Sequence, residues 1–306
     1  MSDNLKAALI MSASMALFTI NDAFMKSLAD VLPLHQILML RNGVVTAILV
    51  AMAWRGGALR RPMSRRDLAL TVLRGLLEAA TASFFLTALF HLPLANATAI
   101  VQSSPLAVML VAALVLGEKI GWRRGLAAAL GFFGVLLIVQ PGVQGFNRYA
   151  VFALLSVLTI VARDIVTRKL SSAAPTLVVA VVTSGIVGVV STAVTLGAGW
   201  VPVSAGSGGL IAGAIVAVLG AYLASVQAMR IGDVSFVSPF RYSALIWALV
   251  LGLVVFGDWP APSILIGAVI VVGSGVYSFW REAIRTRRSA AEAARVARQR
   301  AARPGA

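Results

Sequence analysis

The apolar residues of this chain come in blocks of about twenty, each closed by a short stretch rich in charge, proline or glycine. At 1.5 Å per residue, such a block crosses a hydrocarbon layer roughly 30 Å thick. The blocks predict ten helices, over residues 7–26, 33–54, 68–90, 94–116, 122–140, 148–166, 175–198, 208–229, 234–256 and 261–280. The polar residues that interrupt them recur. The segment FTINDAFMKSLADVLP, residues 18–33, is matched from Ile160 by IVARDIVTRKLSSAAP. Asp164 stands for Asp22, Arg168 for Lys26, Leu170 for Leu28 and Pro175 for Pro33, each 142 residues on. The pattern D-x3-[KR]-x-L-x4-P thus occurs twice, nearly half a chain apart, which marks two homologous halves.

Composition moves the chain out of water. It is 59% hydrophobic and only 12% charged, with a mean hydropathy of +0.93, where soluble domains carry roughly 25% charged residues. It holds no cysteine and two histidines, so disulfide frameworks, thiol nucleophiles and the usual metal-ligand clusters are not expected, nor is any cofactor. The net charge of +15 follows topology. Arg55, Arg60, Arg61, Arg65 and Arg66 fall in one link, Lys119, Arg123 and Arg124 in another, and Arg168 and Lys169 in a third, alternating with links almost free of lysine and arginine. Eight more arginines follow Trp280. The positive-inside rule then places both termini and these links in the cytoplasm of a multi-pass inner-membrane protein. Trp54, Trp122, Trp200, Trp259 and Trp280 fall at predicted span ends, where amphipathic rings settle among headgroups. A cleavable signal peptide is not expected, because the first apolar block runs straight into Asp22 and Lys26 without a small-residue cleavage pattern.

Five helices per half is an odd number, so the second half enters the membrane in the opposite sense. The expected architecture is an all-α membrane protein of ten transmembrane helices, built as two inverted five-helix repeats, 1–145 and 146–280, around a central cavity. Residues 281–306 form a basic tail, expected to lie as a helix on the anionic inner leaflet, each arginine near the surface gaining about 1 kcal/mol. No nucleic-acid partner is expected. Looser matches join GEK at 117–119 to GDW at 257–259, and Gly125 and Gly131 to Gly267 and Gly273. With Gly121 and Gly134, these glycines mark spans five and ten as close-packing elements.

Asp22 with Lys26, Arg41 in the second span, Glu118 ending the fourth, and VSPFRYSALIWALVLGLVVFGDWP at 237–260 together resemble the drug/metabolite transporter superfamily in its EamA-type branch. The likeness extends to about residue 280. It implies a ten-helix fold around a central cavity that moves small metabolites without ATP. The opening NLKAALIMSASMALFTINDAFMK is most similar to the proteobacterial riboflavin and S-adenosylmethionine importers of that branch. Two departures stand out. The second repeat ends in Asp258 where many relatives have glutamate, and Pro105 has no counterpart at the equivalent place in span nine, so the halves need not hinge alike.

A charge at a helix centre costs roughly 2.5–3.5 kcal/mol on insertion scales, so the polar residues inside the spans are the candidate machinery. Arg41, Arg74, Glu78 and Gln102 in the first half, and Tyr222, Gln227, Arg241, Tyr242 and Trp247 in the second, are the candidate substrate pathway. Their structural alternatives are inter-helix pairing for Arg41, an internal i,i+4 pair for Arg74 and Glu78, and packing for the aromatic rings. Asp22–Lys26 and Asp164–Arg168 have the spacing of i,i+4 ion pairs near helix ends, a structural or gating role. By depth, Arg41 and Glu78 are expected to meet near mid-membrane and neutralise each other. Pro105 and Pro239 remove backbone donors and free carbonyls for a cavity to satisfy.

No Walker loop, H-E-x-x-H or G-x-S-x-G motif occurs, which argues against an ATPase and against an enzyme. The expected function is a secondary transporter that moves a small polar metabolite, riboflavin-like or S-adenosylmethionine-like, by alternating access. An amino-acid or drug exporter is the alternative.

Overall fold

The computed structural model describes residues 3–116, 122–140, 147–171, 173–232 and 234–301. Glu118, Lys119 and Gly121 lie outside them. The described chain is helical, in the order α1 (Asp3–Ser27), α2 (Leu34–Arg55), α3 (Arg65–His91), α4 (Leu94–Val101), α5 (Ser104–Leu116), α6 (Trp122–Val139), α7 (Tyr149–Arg168), α8 (Thr176–Ala198), α9 (Ala205–Ile231), α10 (Val234–Val237), α11 (Ser243–Phe256) and α12 (Pro262–Ala301). Nine apolar stretches among the described residues are long enough to cross a membrane, and the shorter Gly125–Val139 occupies the fifth position. The predicted spans and the helices agree, with α4 and α5 together making the fourth span and α10 and α11 belonging to the ninth. Leu114, Leu196, Val216, Val254 and Val269 are among the many apolar side chains left on the outside, as lipid contact requires. All five boundary tryptophans are exposed.

Local chemistry sets the ends. Pro33, Pro93 and Pro175 each precede a helix, where a missing N–H costs nothing. Ser64 and Ser204 cap α3 and α9, accepting from the amides of Asp67 and Ser207. Gly257, at φ 67°, closes α11 in the left-handed conformation that a Cβ disfavours.

The fourth span breaks where Pro105 withholds its amide. Ser103 turns tightly, donating its N–H to Ile100 O at 3.1 Å and its hydroxyl to the same carbonyl at 2.7 Å. The ninth span breaks too, at a 3-10 turn over Ser238–Tyr242 that contains Pro239. Although the two prolines do not align in the repeat, both spans are discontinuous. The breaks touch: Gln102 Nε2 donates to Arg241 O at 3.0 Å. Pro105 lies about three turns after Leu94 and Pro239 under two after Val234, so breaks occur in both halves despite the shifted register.

The helices pair across the chain rather than along it, with α1 against α9, α3 against α7 and α8, α2 against α8, and α6 against α12. Small residues allow this. Ser14 Oγ donates to Ala221 O at 2.6 Å between α1 and α9. A Cβ on Gly213 would come 2.9 Å from the Phe24 ring, and one on Gly75 would fall 2.5 Å from Ile186 Cδ1. Gly134 and Gly267 face each other between α6 and α12, so spans five and ten pack as expected, through Gly131, Gly134 and Gly267, while Gly125 and Gly273 meet nothing. The last helix runs on through Ala301, so the tail backbone continues the tenth span.

Two clasps join the halves at opposite ends of the bundle. At the arginine-poor end, the fully buried Gln36 donates to Val201 O at 2.6 Å and accepts from Val201 N at 3.0 Å. At the arginine-rich end, Asp67 accepts from Ser171 N at 3.0 Å and Ser171 Oγ at 2.8 Å. Gln36→Leu keeps the volume and removes both bonds, so stability is expected to fall by about 1–2 kcal/mol, read as a lower unfolding midpoint of the purified protein. An unchanged midpoint would mean the clasp contributes nothing to the resting fold.

Candidate functional site

The charged residues inside the bundle gather around the contact of α3 with α7. Arg163 Nη1 donates to Glu78 Oε2 at 2.9 Å, and its other edge holds Asp164 Oδ1 at 2.9 Å. One guanidinium thus balances two carboxylates. All three side chains are partly exposed, Glu78 keeping 27% and Arg163 22% of its surface, so the triad lines a space rather than being sealed in a core. Arg74 turns away from Glu78, with Nε donating to Thr167 Oγ1 at 3.0 Å and Nη1 to Thr183 Oγ1 at 2.6 Å. The expected Arg74–Glu78 pair is therefore corrected. An arginine offered hydroxyls by α7 and α8, and a glutamate offered a guanidinium by α7, both gain more across the interface than along their own helix.

The expected Arg41–Glu78 pair is corrected as well. Glu78 takes Arg163, while Arg41 acts electrostatically on Asp22 and leaves its buried Nε without a partner. Asp22 Oδ1 accepts from Asn21 Nδ2 at 2.9 Å. Lys26 does not pair with Asp22 either. Its Nζ donates to Leu89 O at 3.1 Å and Leu92 O at 2.5 Å, and lies 5.4 Å from the Phe256 ring centre. It caps the end of α3, where the last carbonyls lack intrahelical donors. Asp164 is held by its neighbour Arg163, and Arg168 lies a turn beyond, on the wall of the cavity described below.

Tyr222 on α9 meets the Phe18 ring of α1 edge-on at 5.1 Å, leaves 55% of its surface open, and lies within electrostatic reach of Glu78, Arg41, Arg163 and Arg74. Gln227 and Trp247, also candidates, make no hydrogen bond or ion pair with this set among the described residues.

Arg163 is the candidate site residue that the sequence reading missed. The repeat contained the signal: Arg163–Asp164 aligns with Asn21–Asp22, and in both the first side chain donates to the second at 2.9 Å. The polar dipeptide, not the aspartate alone, is the repeated unit.

A cavity of about 510 Å³ opens in the arginine-rich half, between α5, α7, α12 and the two helix breaks. Its wall includes Gln102, Pro105, Arg163, Asp164, Arg241 and Tyr242. It therefore brings the candidates Gln102, Arg241 and Tyr242 together with Asp164 and the missed arginine.

An apolar helical bundle with paired charges and two broken helices beside a cavity defines a multi-pass membrane protein. Residues 5–140 match the EamA-like transporter family. It is 29% identical over 219 residues to a riboflavin transporter of Rhizobium johnstonii, covering 71% of this chain and 72% of that one. It is 24% identical over 213 residues to an S-adenosylmethionine uptake transporter of Rickettsia prowazekii, covering 69% and 71%. A pseudopaline exporter of Pseudomonas aeruginosa is 28% identical over 156 residues, covering 51% and 54%. One solved crystal structure superposes with a TM-score of 0.62 at 20% identity, over 89% of this chain and 97% of that chain, a likeness of fold alone.

Proposed function

We propose that the chain is a secondary transporter that carries a small polar metabolite across the bacterial inner membrane by alternating access, with both termini cytoplasmic. The observation that carries the reading is the Glu78–Arg163–Asp164 triad beside the open Tyr222. Charges at this depth are costly, and a bundle held together by apolar and glycine contacts has no structural need of them. The two halves, 1–145 and 146–280, act as inverted repeats. In support, the pairing of α1 with α9 corresponds under the repeat to that of α7 with α3, while α2–α8 and α6–α12 correspond to themselves. The clasps at opposite ends are then the contacts that open in turn, with Asp22 and Lys26 in a gating role at one end and Asp164 and Arg168 at the other. The basic tail meets anionic lipid at the cytoplasmic surface.

The relatives named for riboflavin and S-adenosylmethionine uptake support import of a planar or zwitterionic solute. An exporter's role is supported by the pseudopaline relative over about half the chain. Vesicles of one orientation, containing the purified protein and offered riboflavin, S-adenosylmethionine and amino acids with and without a proton gradient, test both. Saturable uptake of riboflavin or S-adenosylmethionine above protein-free vesicles is the expected result. Accumulation of amino acids alone supports the exporter, and no movement of any solute overturns the transport reading.

A further inference from the structure

The wall of the 510 Å³ cavity carries two donors that the fold does not use. Tyr242 keeps only 4% of its surface accessible, and its buried hydroxyl has no hydrogen-bond partner. An unpaired buried hydroxyl is a net cost to the resting protein. Its position is nevertheless constrained, because a Cβ on Gly275 would lie 1.8 Å from Tyr242 Oη, so the glycine of α12 makes the space into which the hydroxyl reaches. Beside it, Arg241 lines the same cavity with no carboxylate partner among the described residues. Its backbone is fixed by Gln102, which donates to Arg241 O at 3.0 Å across the two helix breaks. Among the described residues the only carboxylate on the wall, Asp164, is already held by Arg163.

We propose that this cavity binds the anionic group of a small solute, a carboxylate or a phosphate, gripped by the Arg241 guanidinium and the Tyr242 hydroxyl. A guanidinium donates from its N–H groups and the neighbouring hydroxyl adds an O–H, both suited to an anion. A neutral solute leaves the arginine unmatched, whereas a cation meets a wall of like charge. The carbon body of the solute rests on Pro105, Met109, Ile160 and Phe279, and the volume falls within the ordinary range for small-molecule sites. The inference narrows the transport reading to solutes that carry an anionic group, which S-adenosylmethionine has and riboflavin lacks, and rests on that reading only for its physiological meaning. Binding itself requires no transport.

The test uses the full chain in nanodiscs of phosphatidylcholine, titrated with inorganic phosphate and separately with benzoate, at constant ionic strength against chloride. The unfolding midpoint is expected to rise saturably with at least one of the two anions. Tyr242→Phe removes a hydroxyl that bonds to nothing in the resting protein, so its ligand-free midpoint is expected to match or exceed the wild type. Its anion affinity is expected to fall about tenfold. Gly275→Ala, which displaces the Tyr242 ring, and Arg241→Gln are expected to abolish the response. The same discs made with phosphatidylglycerol separate a free solute from a lipid headgroup. If the lipid fills the site, the wild-type midpoint starts high, added anion changes nothing, and Tyr242→Phe lowers it. Absence of any midpoint rise in either lipid, or a rise equal in the wild type and all three variants, overturns the proposal. Anion binding without uptake of any panel solute leaves the site standing and removes the transport reading, while uptake with no anion-dependent rise of the midpoint does the reverse.

Discussion

Replacing Arg163 by glutamine is expected to collapse the folded yield of the protein, while Glu78→Gln leaves yield close to that of the wild type. The asymmetry follows from the stoichiometry of the triad. Arg163 is bonded to both Glu78 and Asp164 at 2.9 Å, so its loss strands two carboxylates within the membrane. At a partly open site such as this, leaving bonded charges without their partner costs about 1–3 kcal/mol, a sizeable part of the stability of an ordinary domain. Loss of Glu78 leaves Arg163 with Asp164, one charge against one. The Glu78→Gln, Arg163→Gln double variant therefore regains part of the yield, because only Asp164, the most open of the three at 39%, is left unpaired. Transport behaves differently. Glu78 keeps 27% of its side chain open beside Arg163, so Glu78→Gln is expected to lose uptake while remaining folded. Size-exclusion profiles of detergent extracts report yield, and vesicle uptake reports function. Equal yields for Arg163→Gln and Glu78→Gln would show that the guanidinium does not balance both acids.

This triad also marks the limit of what the sequence disclosed. The helices were legible because lipid imposes a length on every apolar block, and the pattern needs no knowledge of neighbours. The helix breaks were legible at Pro105 and Pro239 for the same reason: a missing amide acts locally. The contacts of Gly131, Gly134 and Gly267 followed from the absence of side chains. Charge partners did not follow. Spacing of i,i+4 pointed to Arg74–Glu78 and Asp22–Lys26, but in a protein interior each polar group takes the best donor or acceptor on any facing helix. Lys26 found the carbonyls of Leu89 and Leu92 on another helix, and Arg74 found the hydroxyls of Thr167 and Thr183 on two others. Equal helix depth was likewise insufficient for Arg41 and Glu78, because depth fixes one coordinate and a contact needs the helix neighbours as well. The space that Gly275 leaves for Tyr242 joins residues 33 apart and left no periodic trace.

The second large effect is expected at Gly267, where alanine should destabilise the protein more than any comparable substitution between α6 and α12. A Cβ there would lie 2.5 Å from Gly134 O and 2.7 Å from Ile138 Cγ1. The first contact is with backbone, which cannot rotate away as a side-chain tip does. The reciprocal Cβ on Gly134 would lie 2.8 Å from Gly267 O, so the two helices meet carbonyl to Cα along this seam. Relief requires the helices to separate, and overpacking of this kind costs about 1–3 kcal/mol or more. In a membrane the loss is not offset by a hydrophobic drive to reassociate, because lipid tails solvate the parted faces as well as the opposite helix does. Gly125→Ala and Gly273→Ala are the controls, since a Cβ at either position meets nothing within 4 Å. Both are expected to be neutral or slightly stabilising, as alanine is the better helix former by about 1 kcal/mol. Unfolding midpoints of the three purified variants decide the matter. The location of the seam adds a functional consequence. None of Gly125, Gly134, Gly267 or Gly273 lines the anion cavity, so the fraction of Gly267→Ala that folds is expected to transport with unchanged substrate preference. A changed preference in that folded fraction would mean that the movement of α6 against α12 is part of the transport cycle, and that this pair is not a fixed support for the rest of the bundle.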